Sequence, residues 1–461
     1  MKKYDAVIIG FGKGAKTLAG TLAANGRKVA LIEKDSNMYG GTCINVGCIP
    51  SKSFVASAAF SAKLDSSFEE KARLYREAVE KKTKLTDTLR DKNYHKVADL
   101  ENADVYNGTA SFIDSRHVAV ALQDETLELE ADQIFINTGA RPFIPPIEGL
   151  SDSRRAYISE TMLSLEELPK HLVIIGGGYI GMEFASIYTN FGSRVTVIQD
   201  GEVFLPREDR DIADAVAESL KERGVKLLLS TKINSVRDEE AKTIVSVKTP
   251  EGDEKISADA VLVATGRRPN VNDLNLEAAG VELTPSGAVR TDEFLQTNVP
   301  GIYAMGDVVG GLQFTYISLD DFRIVKSQIL GDKKRNVNNR GAVPYSVFLD
   351  PPFSRVGLSE SEARDQGYEF KIAKLPAAAI PKANVLGQKT GLLKVVIDTK
   401  TNEILGAHLF CAESHEIINL IKLAMDAHLP YTVLRDTIYT HPTMSEALND
   451  LFNIQETLCS I

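Results

Sequence analysis

Gly10-Phe11-Gly12-Lys13-Gly14-Ala15 follows the apolar run Tyr4 to Ile9 and opens a stretch of helical spacing that lasts to about Asn25-Gly26. A second apolar run, Lys28 to Ile32, then ends on Glu33. Strand, glycine turn, helix, strand, acid is the order of a dinucleotide-binding unit. Glycines let the backbone turn tightly and approach a pyrophosphate, and the unpaired N–H groups of the helix N-terminus face its charge. Glu33 stands where a carboxylate accepts hydrogen bonds from a ribose. One such stretch is a weak signal, but the plan recurs. Leu172 to Ile175 leads into Gly176-Gly177-Gly178-Tyr179-Ile180-Gly181, a helix to about Phe191, and a strand from Arg194 to Ile198. The units close on matching phrases, Ile134 to Gly139 with Thr138 before its glycine, and Val261 to Gly266. Two copies roughly 165 residues apart imply two nucleotide sites in one chain.

The stretch Gly41-Thr42-Cys43-Ile44-Asn45-Val46-Gly47-Cys48-Ile49-Pro50-Ser51-Lys52 follows the first unit and carries two of the chain's 4 cysteines. The pair can bind a metal, sit inert in a core, or carry redox chemistry. Zinc takes four ligands, and the 7 histidines are scattered with no second cysteine pair to complete a set, so no metal site is expected. Residues five apart in an ideal helix have Cα atoms roughly 8 to 9 Å apart, whereas a disulfide needs them within about 7 Å. A Cys43–Cys48 bond therefore requires an irregular helix start, for which Gly40, Gly41 and Gly47 supply the freedom. A strained bond within reach is easily reduced, and a helix N-terminus favours the thiolate.

Lys52 comes four residues after Cys48 and shares its helix face. Two nucleotide sites beside a reducible pair suggest a relay from nicotinamide to flavin to cysteines, in which a nearby cation stabilises reduced-flavin charge. Glu183, two residues beyond Gly181, is the expected counter-ion. Near the far end, His441 precedes Glu446 by five positions. A histidine can hold the proton that leaves a cysteine as thiolate, and a carboxylate can fix its tautomer. Alone, that spacing is as well met by a surface pair.

With 461 residues the chain exceeds a single core, and a net charge of −10 with a pI near 5.4 argues against nucleic acid, which needs a basic face. No targeting segment and no membrane span are expected, and the cytoplasm is the expected compartment. Residues 65 to 102 are charge-rich and read as the solvated faces of two helices. From about Val343 the composition changes: Pro344 to Phe348 and Gly391 to Ile397 read as strands of a mixed sheet, with helices near Ser414 to Ala427 and Tyr431 to Arg435.

Taken together, "GGTCINVGCIPSK", "GGGYIGMEFA", "ATGRRPN", "AMGDV" and "HPTMSE" resemble the class I flavoprotein disulfide reductases, the family of glutathione reductase, dihydrolipoamide dehydrogenase and mercuric reductase. The resemblance covers essentially the whole chain. It implies an α/β fold with two Rossmann-like dinucleotide-binding domains and a C-terminal α+β dimerisation domain. The expected divisions are 1–149 for FAD and the cysteine helix, 150–270 for NAD(P)H, 271–340 for a central domain completing the FAD site, and 341–461 for dimerisation. By the match, Cys48 is the charge-transfer cysteine beside the flavin and Cys43 the outward interchange cysteine. Lys52 and Glu183 match the pair near flavin N5, Tyr179 the aromatic that gates the nicotinamide side, and Asp307 the aspartate on the FAD ribityl chain. His441 and Glu446 match a catalytic dyad that reaches the partner subunit's cysteines in a homodimer. Expected at the FAD site are Gly10, Gly12, Gly14, Ala15, Glu33, Lys34, Gly41, Thr42, Lys52, Thr138, Gly139 and Asp307. For NADPH or NADH they are Gly176, Gly178, Tyr179, Ile180, Gly181, Gln199 and Gly266. Ala15 stands where the motif has its third glycine, a position that tolerates alanine.

Within the family, "LPREDRDIADAV", "GGLQFTYISLDDFRIV", "PYSVFLDPPFSRVGLSE" and "HPTMSEALNDLF" resemble bacterial reactive-chlorine-resistance flavoproteins and hypothiocyanous acid reductases, a branch to which copper(II) reduction is also attributed. A small oxidant is the implied substrate, with a metal ion or a low-molecular-weight disulfide as the alternative. Mercuric reductases carry a C-terminal cysteine pair; the single Cys459 here supplies none, and Cys411 reads as a buried strand end. Gln199 at the second unit's strand end lacks the acid that would repel a 2′-phosphate, yet Asp200 lies next to it, leaving NADH and NADPH both open.

Overall fold

The computed structural model describes residues 1–454; Cys459 lies outside them. The two repeated units each fold around a core of parallel strands, and the first sheet continues through His117–Ala121 and Thr109–Phe112, antiparallel beyond Thr126–Ile136. In the first, Lys2–Ile9 lies between Val29–Glu33 and Thr126–Ile136, both parallel to it. In the second, His171–Ile175 lies between Arg194–Ile198 and Ala260–Val263, again both parallel. The turn glycines show why the motif repeats. Gly10 has φ +98° and Gly176 φ +110°, and a Cβ on either would stand 2.4 Å from a backbone carbonyl, of Asn137 or Ala264 respectively. A side chain at either position would push apart the helix and the strand that frame the nucleotide site.

Chain beyond the second sheet returns to the first, where Ile302–Ala304 pairs with Thr126–Ile136. The C-terminal sheet runs in the order Tyr345–Val347, Phe353–Gly357, Ile404–Phe410, Leu392–Asp398, Phe370–Pro376. Every pairing in it is antiparallel, not mixed as the composition suggested. Apolar strands alone do not encode direction, and here a strand such as Leu392–Asp398 is buried on both faces without parallel neighbours. Cys411, just past Ile404–Phe410, is fully buried, and burial raises its thiol to about 12.

The charge-rich segment is one helix, Phe68–Ala98, rather than two. A capping box between Ser67 and Glu70 starts it, and no glycine or proline interrupts it afterwards. One face buries Tyr75, Ala78, Thr86, Asn93 and Val97, so a single packed stripe sustains its length.

The cysteine helix, Cys48–Ala62, is wedged between this long helix and Tyr179–Asn190 of the second unit. Phe54 meets the rings of Tyr75 and Phe191 edge-on, at 5.7 and 6.4 Å between centroids. That aromatic knot fixes the helix carrying Cys48 against the helix carrying Glu183. By length and composition alone Thr42–Ala62 would suffice to cross a membrane. Here it is broken at Val46-Gly47 into Thr42–Asn45 and Cys48–Ala62, and Phe54 and Ala58 enter the core.

Candidate functional site

Cys43 lies in the short helix Thr42–Asn45, and Cys48 is the first residue of the next one. The break at Val46-Gly47 is the irregular start that the five-residue spacing demanded. Both cysteines are free thiols. The neighbouring Cys43 thiol is the largest influence holding Cys48 below an ordinary thiol pKa; the Thr315 hydroxyl and the Lys52 charge act the same way, against the Glu183 charge. The Thr315 Oγ1 lies 3.5 Å from the Cys48 sulfur. Cys43 is raised by the Cys48 sulfur beside it and by burial. Of the two, Cys48 is the sulfur whose surroundings favour the thiolate.

Lys52, one turn along from Cys48, contacts Glu183 with its Nζ 2.9 and 2.8 Å from the two carboxylate oxygens. The Phe348 N–H also donates to Glu183 at 2.9 Å. The Lys52 ammonium sits 4.5 Å from the centre of the Phe348 ring. A carboxylate, a backbone donor and an aromatic face thereby hold the cation in one place.

These groups face one continuous cavity of about 2940 Å³, several times the volume of a drug-sized site. Gly10, Gly12, Glu33, Lys34, Gly41, Thr42, Thr138, Gly139 and Asp307 line it from the first unit and its return strand. Gly176, Gly178, Tyr179, Ile180, Gln199 and Gly266 line it from the second. Gly139, Gly178 and Gly266 have no atom within 4 Å of an added Cβ, so each leaves open room for a ligand. Burial raises Glu33 although the N–H groups of Asp35 and Phe11 donate to it. Burial also raises Asp307, against the Arg267 charge, and its carboxylate receives no hydrogen bond from the described residues. Two acceptors set in a deep glycine-lined trough suit the hydroxyls of a dinucleotide.

Gly14, Ala15 and Gly181 do not line the cavity. A Cβ at Gly14 would meet the Ser318 carbonyl at 2.7 Å, and one at Gly181 the Gly176 carbonyl at 2.2 Å. The Ala15 N–H donates to Asn137 Oδ1 at 3.2 Å. These three positions close the turns from behind. Gln199 folds back, its Nε2 donating to the carbonyls of Gly201 and Val203 at 3.2 and 2.8 Å.

His441 Nδ1 and Glu446 Oε2 are 2.8 Å apart, so the pair spaced in sequence meets in space. It does not line the cavity of its own chain, and the His441 side chain is 71% exposed. Sequence reasoning passed over Thr315, Phe348, Asn137, Glu208 and Tyr345, all of which touch predicted site residues. Thr315, Phe348, Glu208 and Tyr345 fall inside three of the quoted branch stretches, and Asn137 inside the Ile134–Gly139 phrase, but nothing in the sequence singled any of them out.

Residues 4–321 match the pyridine nucleotide-disulphide oxidoreductase family and 343–452 the dimerisation domain of the same family. Among characterised proteins, RclA of Escherichia coli, described as a probable pyridine nucleotide-disulfide oxidoreductase, is 48% identical over 454 residues, covering 98% of this chain and 100% of that protein. A mercuric reductase of Staphylococcus aureus is 35% identical over 452 residues, 96% of this chain and 81% of its own length. The solved structure of the HOCl-induced flavoprotein disulfide reductase RclA from Escherichia coli superposes with a TM-score of 0.92 at 48% identity, covering 98% of this chain and 100% of that one. Its Cu(II) complex superposes at 0.93, with 99% and 100% covered.

Proposed function

The chain belongs to the pyridine nucleotide-disulphide oxidoreductase family, and we propose that it uses its Cys43–Cys48 pair to reduce hypothiocyanous acid or a related reactive chlorine oxidant. It is an oxidoreductase, with FAD and NAD(P)H as the cofactors of its family, and its dimerisation domain supports a homodimer. Bound FAD would relay the electrons of NAD(P)H to the cysteine pair. Glu33 of the first unit, Asp307 just beyond the strand Ile302–Ala304 that returns to it, and the second unit's Gly176 to Gly178 turn are the residues offered to the two nucleotides. The observation that carries the reading is the placement of the pair: Cys43 and Cys48 flank the helix break at Val46-Gly47 on the shared cavity, with the Lys52–Glu183 ion pair one turn beyond Cys48.

In the reductive direction, Lys52 is kept beside Cys48 by Glu183 and favours the negative sulfur. In the oxidative direction, Cys43 gives up its proton to a base, for which His441, oriented by Glu446, is the candidate from the second subunit. The Cys43 thiolate attacks the electrophilic sulfur of hypothiocyanous acid. An S–S bond forms, the S–O bond breaks, and hydroxide leaves, taking a proton to become water. Cys48 thiolate then attacks the Cys43 sulfur, thiocyanate leaves, and the disulfide closes. Two electrons pass to the oxidant and the two thiols become one disulfide.

Support for a chlorine-derived oxidant is the 48% identity to RclA, whose structure is that of an HOCl-induced reductase. A cytoplasmic site of action, where NAD(P)H is abundant, belongs to the same reading. The Cu(II) complex of RclA and the mercuric reductase relatives favour metal ions as the second reading. Steady-state NAD(P)H oxidation with hypothiocyanous acid, hypochlorous acid, oxidised glutathione, Cu(II) and Hg(II), side by side, tests both. Hypothiocyanous acid is expected to give the highest kcat/KM; faster turnover of glutathione disulfide or a metal ion would overturn the choice.

A further inference from the structure

Tyr179, the first residue of the helix Tyr179–Asn190, projects into the cavity beside Gly178, and its hydroxyl is not free. It donates to Glu208 Oε1. The same oxygen accepts from the Tyr345 hydroxyl at 2.6 Å, and the two phenol oxygens are 3.2 Å apart. The rings of Tyr179 and Tyr345 lie 5.5 Å apart between centroids, tilted by 33°. The Glu208 side chain has no solvent exposure. Its other oxygen lies 3.5 Å from Arg355, which also pairs with Glu362 and donates to the Arg207 carbonyl at 2.7 Å. Arg210 pins the loop from the other side, donating to the carbonyls of Phe204, Leu205 and Glu208 at 2.8, 2.6 and 2.8 Å. A buried carboxylate on a loop held from both sides cannot follow a moving ring, so Tyr179 leaves only by breaking its bond to it. Burial and the neighbouring carboxylate keep the Tyr179 hydroxyl protonated, a standing donor.

We propose that Glu208 is a positioning residue that latches Tyr179 in a closed position across the nicotinamide path, so that nucleotide binding has to break the Tyr179–Glu208 hydrogen bond. The proposal rests on the reading that the second unit takes NAD(P)H. A contact made only in the closed state competes with the ligand, and the apparent affinity falls by the open fraction. Removing the hydroxyl while keeping the ring should therefore tighten binding.

The test is calorimetric titration of the oxidised holoenzyme with NADP⁺ and NAD⁺, alongside KM and kcat for NADPH and NADH. The wild type, Tyr179→Phe, Glu208→Gln and the double variant are compared. Tyr179→Phe is expected to lower the nucleotide Kd about tenfold, the scale of one hydrogen bond to a charged group, with KM falling in step and the melting temperature nearly unchanged. Glu208→Gln should lower Kd in the wild-type background and add nothing in Tyr179→Phe. A purely structural Glu208 would shift melting without shifting Kd. Unchanged or weaker nucleotide binding by Tyr179→Phe overturns the latch while leaving the NAD(P)H reading intact. A wild type that binds neither nucleotide overturns that reading, and the latch with it.

Discussion

Lys52 and Glu183 are 131 positions apart, yet Lys52 Nζ lies 2.8 Å from Glu183 Oε2, with 31% and 12% of the two side chains exposed. The contact joins the cysteine helix to the helix that opens the second nucleotide unit, and it places a fixed positive charge one turn from Cys48. Most of the expected behaviour of the site follows from that charge and from the unequal environments of the two thiols.

Lys52→Met should leave Glu183 with only the Phe348 N–H and destabilise the fold by about 1–3 kcal/mol, solvent access to Lys52 being discounted. Urea unfolding of the wild type, Lys52→Met, Glu183→Gln and the double variant measures it. The double variant is expected to lose less than the two single losses added together.

Thr315→Val keeps the shape beside Cys48 and removes a hydroxyl that favours its thiolate. Cys48 is charged above its pKa, so loss of that bond moves the pKa up and depletes thiolate on the acid side. The pH midpoint of iodoacetamide alkylation of the reduced protein should rise by about one pH unit. An unmoved midpoint would show that Thr315 does not tune the sulfur.

Cys43 behaves oppositely. The Cys48 sulfur beside it and burial push it up, so Cys48→Ser, which removes the neighbouring thiolate, should lower the Cys43 pKa toward an ordinary thiol value. Cys43 in that variant should alkylate faster at neutral pH than in the reduced wild type.

His441→Gln should reduce turnover by about 10²- to 10⁴-fold, the usual contribution of a positioned acid–base group. Mixed dimers of Cys43→Ser and His441→Gln chains distinguish a shared site from a private one. If His441 serves its partner's cysteines, each mixed dimer regains one complete site and activity returns. If it serves its own, both sites stay dead.

Phe54→Ala removes the ring that meets Tyr75 and Phe191 and should cost about 3–5 kcal/mol, read by denaturant unfolding. Because Phe54 shares the helix of Cys48 and Lys52, a cavity there should also broaden the alkylation profile of Cys48.

Much of this molecule is written in short-range rules. Gly10 and Gly176 needed positive φ and room against a neighbouring strand, and both glycine motifs stand at such turns. Cys48 and Lys52, one helical turn apart, share a face because a helix repeats every 3.6 residues. His441 and Glu446 meet across five positions. The stripe of residues 65 to 102 was legible as helix, but its continuity as Phe68–Ala98 was not, since exposed charged faces do not say where a helix must stop.

What the sequence determined by itself was therefore the local plan: two nucleotide units, a cysteine pair at an irregular helix start, and the family to which they belong. Tertiary packing decided which distant groups complete the site. Thr315 reaches Cys48 across 267 positions, and Tyr345 reaches Glu208 across 137. The C-terminal strands run antiparallel although their apolar pattern allows either direction. The physical reason is one of range. Backbone periods and turn conformations act over a few residues, whereas the partner of a buried charge or thiol depends on how whole helices and sheets pack, which no short stretch of the chain encodes.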